Sequence, residues 1–202
     1  MDTLEYITSK YNCHNAVNYP FVINNLNRKL LANLFGELGF TIGCEIGVRK
    51  GTNALHLFKT IPDLTMYLID PYAEYDSAST TEKKLQGHYK KAKKRLKKYN
   101  AKFMRECSMD AVKKIPELSL DFIHIDGNHD SDFVMQDITK WSKRVRPGGI
   151  ISGHDYYPGK NGEVKDAVDV YVRENNIACW FLCDVSTYFW VKSPIEKATA
   201  QS

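Results

Sequence analysis

The sequence predicts an α/β fold: a doubly wound, mostly parallel seven-stranded sheet with an antiparallel C-terminal strand pair. Three observations carry this. Short apolar runs at 42–46, 65–70, 102–107, 120–126 and 150–155 alternate with segments whose apolar residues recur at helical spacing, the pattern of βα units. The first run passes through Glu45-Ile-Gly47-Val-Arg-Lys-Gly51 into an apolar-periodic segment, which reads as strand, glycine turn and helix start. Two final apolar runs, 177–183 and 187–191, flank Asp184-Val-Ser186 in the manner of a hairpin, which pairs its strands antiparallel.

Taken in order, residues 1–20 have no clear period, and Asn12, Asn15, Asn18 and Pro20 read as loop or cap material. From Phe21 to Leu38, Val22, Ile23, Leu26, Leu30, Leu31, Leu34 and Leu38 recur as one face of a helix, which Gly39 would stop. Strand 42–46 leads to a helix over 51–60, a turn at Pro62-Asp63, and strand 65–70 ending in an acid before Pro71. Residues 72–81 form a polar loop. A helix follows with Leu85, Tyr89, Ala92, Leu96 and Tyr99 on one stripe and lysine elsewhere. After strand 102–107, Ser108 would cap the next helix. Strand 120–126 is the most apolar, helix 131–145 follows, and Pro147-Gly148-Gly149 turns into strand 150–155. A loop through Gly159 and Gly162 precedes a helix over 164–174. There is no repeat and no linker, so one domain is expected over 1–202: an N-terminal helical cover (1–40), an α/β core (41–192) and a tail (193–202).

Composition narrows the function classes. With 202 residues and 43% hydrophobic content the chain can bury a full core. It has no run of about 18 apolar residues, hence no expected membrane span. The acidic start, Met1-Asp-Thr-Leu-Glu-Tyr6, lacks an apolar signal core, so a cytoplasmic location is expected. Cys13, Cys44, Cys107, Cys179 and Cys183 form no Cys-x-x-Cys, which fits reduced thiols better than a zinc site. The net charge of +4 is uneven: residues 81–100 hold nine Lys/Arg against Glu82 alone. That local excess of +8 leaves −4 for the remainder, a mildly acidic domain with one basic helix.

The chemistry gathers where strands end. Glu45, Asp70 and Asp126 close three of them, and His154-Asp155 closes another. Carboxyl ends of parallel strands share one edge, so these groups should converge on one cleft. Gly47 would permit close backbone approach, and Gly51 would let the helix pack tightly on the strand. The spacing is not Gly-x-Gly-x-x-Gly, so the dinucleotide fingerprint is unmet. A carboxylate such as Asp70 can accept from two vicinal ribose hydroxyls. Glu45 disfavours a phosphate at the first turn and suits a cationic or zwitterionic ligand.

With these features the chain resembles class I S-adenosylmethionine-dependent methyltransferases, which share a Rossmann-like fold, over about residues 40–192. Phe122-Ile-His-Ile-Asp-Gly-Asn-His-Asp130 and Pro147-Gly-Gly-Ile-Ile-Ser-Gly-His-Asp-Tyr156 resemble the small O-methyltransferases related to sugar and macrolide enzymes. The resemblance implies that Glu45, Gly47 and Gly51 shape the methionine pocket, Asp70 holds the ribose, Ser108 and Met109 edge the adenine, and Asp126 lies beneath the reacting centre. It also implies a divalent ion, magnesium or manganese, at Asp126 and Asp155. Here His154 stands where a carboxylate is usual, which suits magnesium less than a softer ion; a metal-free site is the alternative. His129 or His154 would then serve as general base. The acceptor expected is a small-molecule or saccharide hydroxyl, with nucleic acid less favoured and a homo-oligomer compatible.

Other readings compete. Glu45 could cap a helix, and Asp70 could be a turn acid. His124, mid-strand, is expected to be a satisfied core histidine. Gly127-Asn128-His129-Asp130 mimics a metallophosphoesterase segment, but the further two-metal motifs are lacking. An NAD-dependent oxidoreductase would use Asp70 equally well, and a non-catalytic binding module would use the basic helix 81–99.

Overall fold

A computed structural model of the chain describes residues 2–14, 19–74, 81–158, 163–183 and 186–193. The elements in chain order are α1 (Thr3–Lys10), β1 (Phe21–Ile23), α2 (Arg28–Glu37), β2 (Ile42–Ile46), α3 (Thr52–Thr60), β3 (Thr65–Ile69), α4 (Glu82–Leu96), β4 (Asn100–Met104), α5 (Ser108–Ala111), β5 (Leu120–Ile125), α6 (Ser131–Trp141), β6 (Val145–Gly153), α7 (Glu163–Glu174), β7 (Phe181–Cys183) and β8 (Thr187–Val191). The strands form one sheet in the order β1-β7-β8-β6-β5-β2-β3-β4. β8 runs antiparallel to both β6 and β7, and the remaining neighbours are parallel.

The doubly wound architecture is therefore as expected, with an eighth strand added. Phe21–Ile23, expected as the start of a long helix, pairs instead with β7. The β-branched Val22 and Ile23 follow Pro20, which favours extended backbone, and the helix begins only where Asn27 caps it. Its Oδ1 accepts from the Lys29 and Leu30 N–H groups, both at 3.0 Å. α1 arises in a stretch without a clear period because Asp2 caps it and Ile7 is wholly buried. β4 begins two residues before the expected 102, and β7 is shorter than 177–183. The expected turn at Pro147-Gly148-Gly149 lies inside β6, as an irregularity in its register with β5. Gly148 takes a φ of +74° there. Loop expectations at Asn15, Asn18, Tyr75, Gly159, Gly162, Asp184 and beyond Ser193 lie outside the described residues.

Two apolar layers flank the sheet. On one face Leu31, Phe35 and Phe40 meet Phe122 and Leu57, with the Phe35 and Phe122 rings 4.4 Å apart. On the other, Val134, Ile138 and Trp141 of α6 and Val164 and Val168 of α7 cover Ile123 and Ile151. Each large side chain so buried contributes about 2 kcal/mol. Together they hold the strand tips at fixed positions.

Candidate active site

The chain runs outward from β2 to β4 on one side and from β5 toward β8 on the other, so the strand order reverses between β2 and β5. Ligands of open α/β sheets bind at such a reversal. Gly47 makes the junction: its φ is +88° and its N–H donates to the Ile69 carbonyl at 2.9 Å. A β-carbon at this position would lie 1.9 Å from the Asp126 carbonyl oxygen, so only glycine allows the two tips to close up. Gly51 also has positive φ, +65°, but its open side faces α4, where a β-carbon would come 3.0 Å from Leu96. The expected packing of Gly51 on the strand is thus corrected: it seats α3 against α4.

Glu45 is buried, 2% exposed, at the end of β2. Asn53 Nδ2 donates to its Oε1 at 3.1 Å, and its Oε2 has no partner. Burial raises the carboxyl to about 8, against the opposing Asn53 hydrogen bond. Next to it in register on β5 is His124. Ser152 donates its hydroxyl to the Ile123 carbonyl at 2.7 Å, so it accepts from His124 Nδ1 at 3.1 Å. That leaves His124 Nε2 a buried lone pair without a donor. Burial lowers this imidazole to about 4, keeping it neutral. His124 is therefore the expected core histidine on one nitrogen and unsatisfied on the other.

Asp70 is held by the main chain: the Arg49 N–H donates to Oδ2 at 2.7 Å and the Tyr72 N–H to Oδ1 at 2.8 Å. Burial raises its pKa, and those two hydrogen bonds oppose the rise. The β5 and β6 tips are built differently, from side chains. Arg28 Nη1 donates to Asp126 Oδ2 at 2.9 Å. His129 Nε2 lies 3.0 Å from Asp155 Oδ2 and 3.8 Å from Asp126 Oδ1. His154 Nδ1 lies 2.9 Å from Asp155 Oδ1, while its Nε2 is 3.4 Å from Ser186 Oγ. Asp126 and then Asp155 raise the His129 pKa, and His154 foremost lowers that of Asp155. Asp155 itself sits at φ +63°, a conformation costing a non-glycine residue on the order of 1 kcal/mol.

Asp126, His154 and Asp155 each offer a donor atom within 4.8 Å of the others, so the trio expected from the sequence is assembled. Ser108 and Met109 open α5, and Ser108 does not cap it; the cap position is Cys107. The Ser108 hydroxyl turns inward instead, donating to Asp137 and accepting from Trp141 Nε1 at 2.7 Å. Asp137, raised by burial to about 6, anchors that turn against α6. Two residues with roles here had no signal in the sequence. Arg28 falls on the polar side of α2 and Asn53 in the first turn of α3; each meets its carboxylate only through tertiary packing.

A cavity of about 380 Å³ opens among these groups, lined by Arg28, Asn53, His56, His154, Ser186 and Thr187 among others. The Thr187 hydroxyl is buried without a partner. The cavity joins the Glu45 side of the site to the Asp155 side, since Asn53 bonds the first and His154 the second. Among the described residues no helix is long and apolar enough to cross a membrane.

A family profile described as a methyltransferase domain matches residues 44–156. No curated protein matches the chain in sequence. Among solved structures, the O-methyltransferase NovP is 16% identical, with 83% of this chain and 78% of that one aligned at a TM-score of 0.63. TomG, an O-methyltransferase of Streptomyces achromogenes involved in tomaymycin synthesis and solved with SAM, is 15% identical over 96% and 91% of the two chains, TM-score 0.60. An O-methyltransferase from Bacillus cereus, in complex with SAH, is 16% identical over 94% and 90%, TM-score 0.58. At these identities the likeness is one of fold.

Proposed function

The chain belongs to the methyltransferase domain family, and from that premise we propose that it methylates a hydroxyl oxygen of a small-molecule or saccharide acceptor, with S-adenosylmethionine as methyl donor. The nicotinamide-dependent alternative falls away with the family. One observation carries the cofactor reading: Glu45 Oε2, an acceptor once its carboxyl is ionised, and His124 Nε2 are both buried without a partner, on neighbouring strands at the reversal point. An ammonium group has the N–H donors both lack, and the Arg28 guanidinium and His56 lining the adjoining cavity complement a carboxylate. A zwitterionic amino acid tail fits this set. Asp70, fixed by two main-chain N–H groups, retains lone pairs for ribose hydroxyls. Ser108 and Met109 would edge the adenine, and Gly47 and Gly51 would shape the methionine pocket with Glu45.

When bound, the cofactor supplies an electrophilic methyl carbon on sulfur and leaves as a neutral thioether. The chain's part is alignment and proton removal. Asp155 accepts from His154 Nδ1–H, which leaves the Nε2 lone pair toward the cavity, the tautomer a general base needs. His154 would therefore take the acceptor's hydroxyl proton as its oxygen bonds the methyl carbon. His129, with its raised pKa and two carboxylate neighbours, is better placed to hold positive charge than to act as base. Asp126, tied to Arg28, would line the reacting centre.

A second reading adds a divalent ion, for which Asp126, His154 and Asp155 would supply two carboxylates and an imidazole within 4.8 Å. That donor set suits manganese better than magnesium, and the ion would lower the pKa of the acceptor hydroxyl. Five cysteines without a Cys-x-x-Cys motif, Cys13, Cys44 and Cys183 of them buried, agree with a reducing, cytoplasmic setting. Calorimetric titration with S-adenosylmethionine and its demethylated product, with and without manganese, tests these readings. Micromolar binding that weakens by about tenfold or more in Asp70→Ala is the expected result, and no binding under any condition would overturn the cofactor reading.

A further inference from the structure

The most basic element of the described surface is without an ion pair. Several cations elsewhere meet carboxylates: Lys10 with Glu37, Lys114 with Glu106, Arg144 with Glu117, Arg146 with Asp121 and Lys165 with Asp169. No cation of α4 does so among the described residues. Arg95 donates to the Lys50 carbonyl and the Thr52 hydroxyl, and Lys93 lies 4.9 Å above the Phe103 ring. Lys83, Lys84, Lys90, Lys91, Lys94 and Lys97 are exposed and make no contact of either kind. Like charges spaced three and four apart on a helix are mutually destabilising, so this helix carries a cost that its own fold does not offset.

The apolar stripe of α4 from Tyr89 onward is packed against the core. Ala92 and Leu96 are buried, Tyr89 packs on Tyr72 and Phe103, and Tyr99 just beyond the helix stacks on Phe58 at 4.9 Å. What faces outward is then a convex cationic surface without an exposed aromatic or aliphatic anchor. It continues through Arg105, whose guanidinium lies 4.5 Å from the Tyr89 ring, and toward Arg49 and Lys50 in the loop after Gly47, where the Lys50 carbonyl accepts from Arg95. Arg49 is also the residue whose N–H holds Asp70, so the surface reaches the rim of the site.

We infer that this surface binds the phosphate backbone of a nucleic-acid duplex. Three features select that partner. With no exposed apolar side chain the helix has nothing to insert into a bilayer, and with no exposed ring it has nothing for unpaired bases to stack on. A protein partner would be expected to offer it a desolvated apolar or aromatic anchor, and α4 has no counterpart. A 15-residue helix is about 22 Å long, and that length of duplex carries on the order of a dozen phosphate charges. Lys83, Lys90, Lys94 and Lys97 fall in one row along it, at seven-, four- and three-residue steps. Contacts of this kind are independent of base sequence.

The inference stands apart from the cofactor reading, because its test involves neither methyl donor nor turnover. The probes are fluorescent 20-base-pair DNA and RNA duplexes of unrelated sequences, titrated with the full chain at several salt concentrations. If about five phosphates are engaged, affinity falls about 500-fold between 50 and 200 mM salt. Reversing three charges in K90E/K94E/K97E should abolish binding, and K90Q/K94Q/K97Q should weaken it and reduce the salt slope by about 3. Lys140→Glu with Lys143→Glu, on α6 and the turn after it, should change little. Circular dichroism and urea unfolding of each variant establish that folding is intact. The inference is overturned if no duplex binds at 50 mM salt, or if the α6 variant loses as much as the α4 variant. It is equally overturned if heparin or phosphatidylserine vesicles bind as tightly at the same ionic strength, which would assign the face to a polysaccharide or a membrane. Binding of one duplex type alone would narrow the partner to DNA or RNA.

Discussion

The two halves of the strand-tip edge hold their acids by different means. On the β2–β3 side the partners are main-chain N–H groups and one amide: Arg49 and Tyr72 for Asp70, Asn53 for Glu45. On the β5–β6 side they are ionisable side chains: Arg28, His129 and His154 around Asp126 and Asp155. Main-chain donors cannot rotate away or change protonation, so the first half is preorganised to bind. Imidazoles can gain and lose protons, so the second half can exchange them during a reaction. Burial also separates the halves: it raises Glu45 and Asp70, whereas His154 lowers Asp155.

The change that should erase the distinction is at the hinge between halves. In Gly47→Ala the new methyl would overlap the Asp126 carbonyl, a main-chain atom that cannot step aside. A stability loss of about 3 kcal/mol or more is expected in urea unfolding. A variant as stable as the parent would mean that the β2 and β5 tips are free to part by the width of a methyl group.

Separate changes should split function in opposite directions. Asp155→Asn should lower turnover by about 10²- to 10⁴-fold while cofactor affinity stays within about threefold. Asp70→Ala should weaken cofactor binding by about tenfold or more and leave turnover at saturating cofactor nearly intact. Steady-state kinetics paired with calorimetry decide it; equal losses in both parameters for either variant would end the division of labour.

Glu45 offers a test through pH. Its folded value, about 8, exceeds the ordinary carboxylate value, so the folded chain keeps a proton that the unfolded chain has lost. Stability of the free protein should thus fall as pH rises from about 4.5 to about 8. Glu45→Gln should remove that fall, a gain on the order of 5 kcal/mol at pH 9. Binding of an ammonium group should expel the proton near pH 7, seen as a binding enthalpy that varies with the ionisation enthalpy of the buffer. Invariant enthalpy would place the ammonium elsewhere.

The smallest effect belongs to His129. Its pKa is raised, so its pairing stabilises below about pH 6.5 and is lost as pH climbs through the raised value. Because the ring is half exposed, His129→Gln should cost less than about 1 kcal/mol at pH 5.5 and nothing measurable at pH 9. Thermal unfolding at the two pH values checks it, and an equal cost at both would point to packing instead of charge.

Much of this was legible from residue order. Strand periodicity located β2, β3, β5 and β8 closely, because strands buried on both faces are continuous apolar runs. Acids at their ends lay on one edge by topology alone. The first 40 residues were less legible. Val22 and Ile23 satisfy a helical period and a strand equally, and only the β7 edge, about 160 residues onward, decides between them. Ser108 had the composition of a cap, but a buried Asp137 and the Trp141 indole compete for its hydroxyl. The turn at Gly148-Gly149 became part of β6 because glycine there accepts both the positive φ of a turn and the close approach of the Asp121 carbonyl.

By itself, then, the sequence determined the alternation of strands and helices, the gathering of Glu45, Asp70, Asp126 and Asp155 at one sheet edge, and the concentration of basic residues on one helix. These depend on local periodicity and composition, which neighbouring residues suffice to set. Tertiary structure alone decided that Arg28 meets Asp126, that Asn53 meets Glu45, and that Glu45 and His124 each keep one acceptor unpaired in the interior. Those outcomes depend on distances between residues far apart in the chain. Packing around Phe35, Phe122 and Trp141 sets such distances, and no local pattern encodes them.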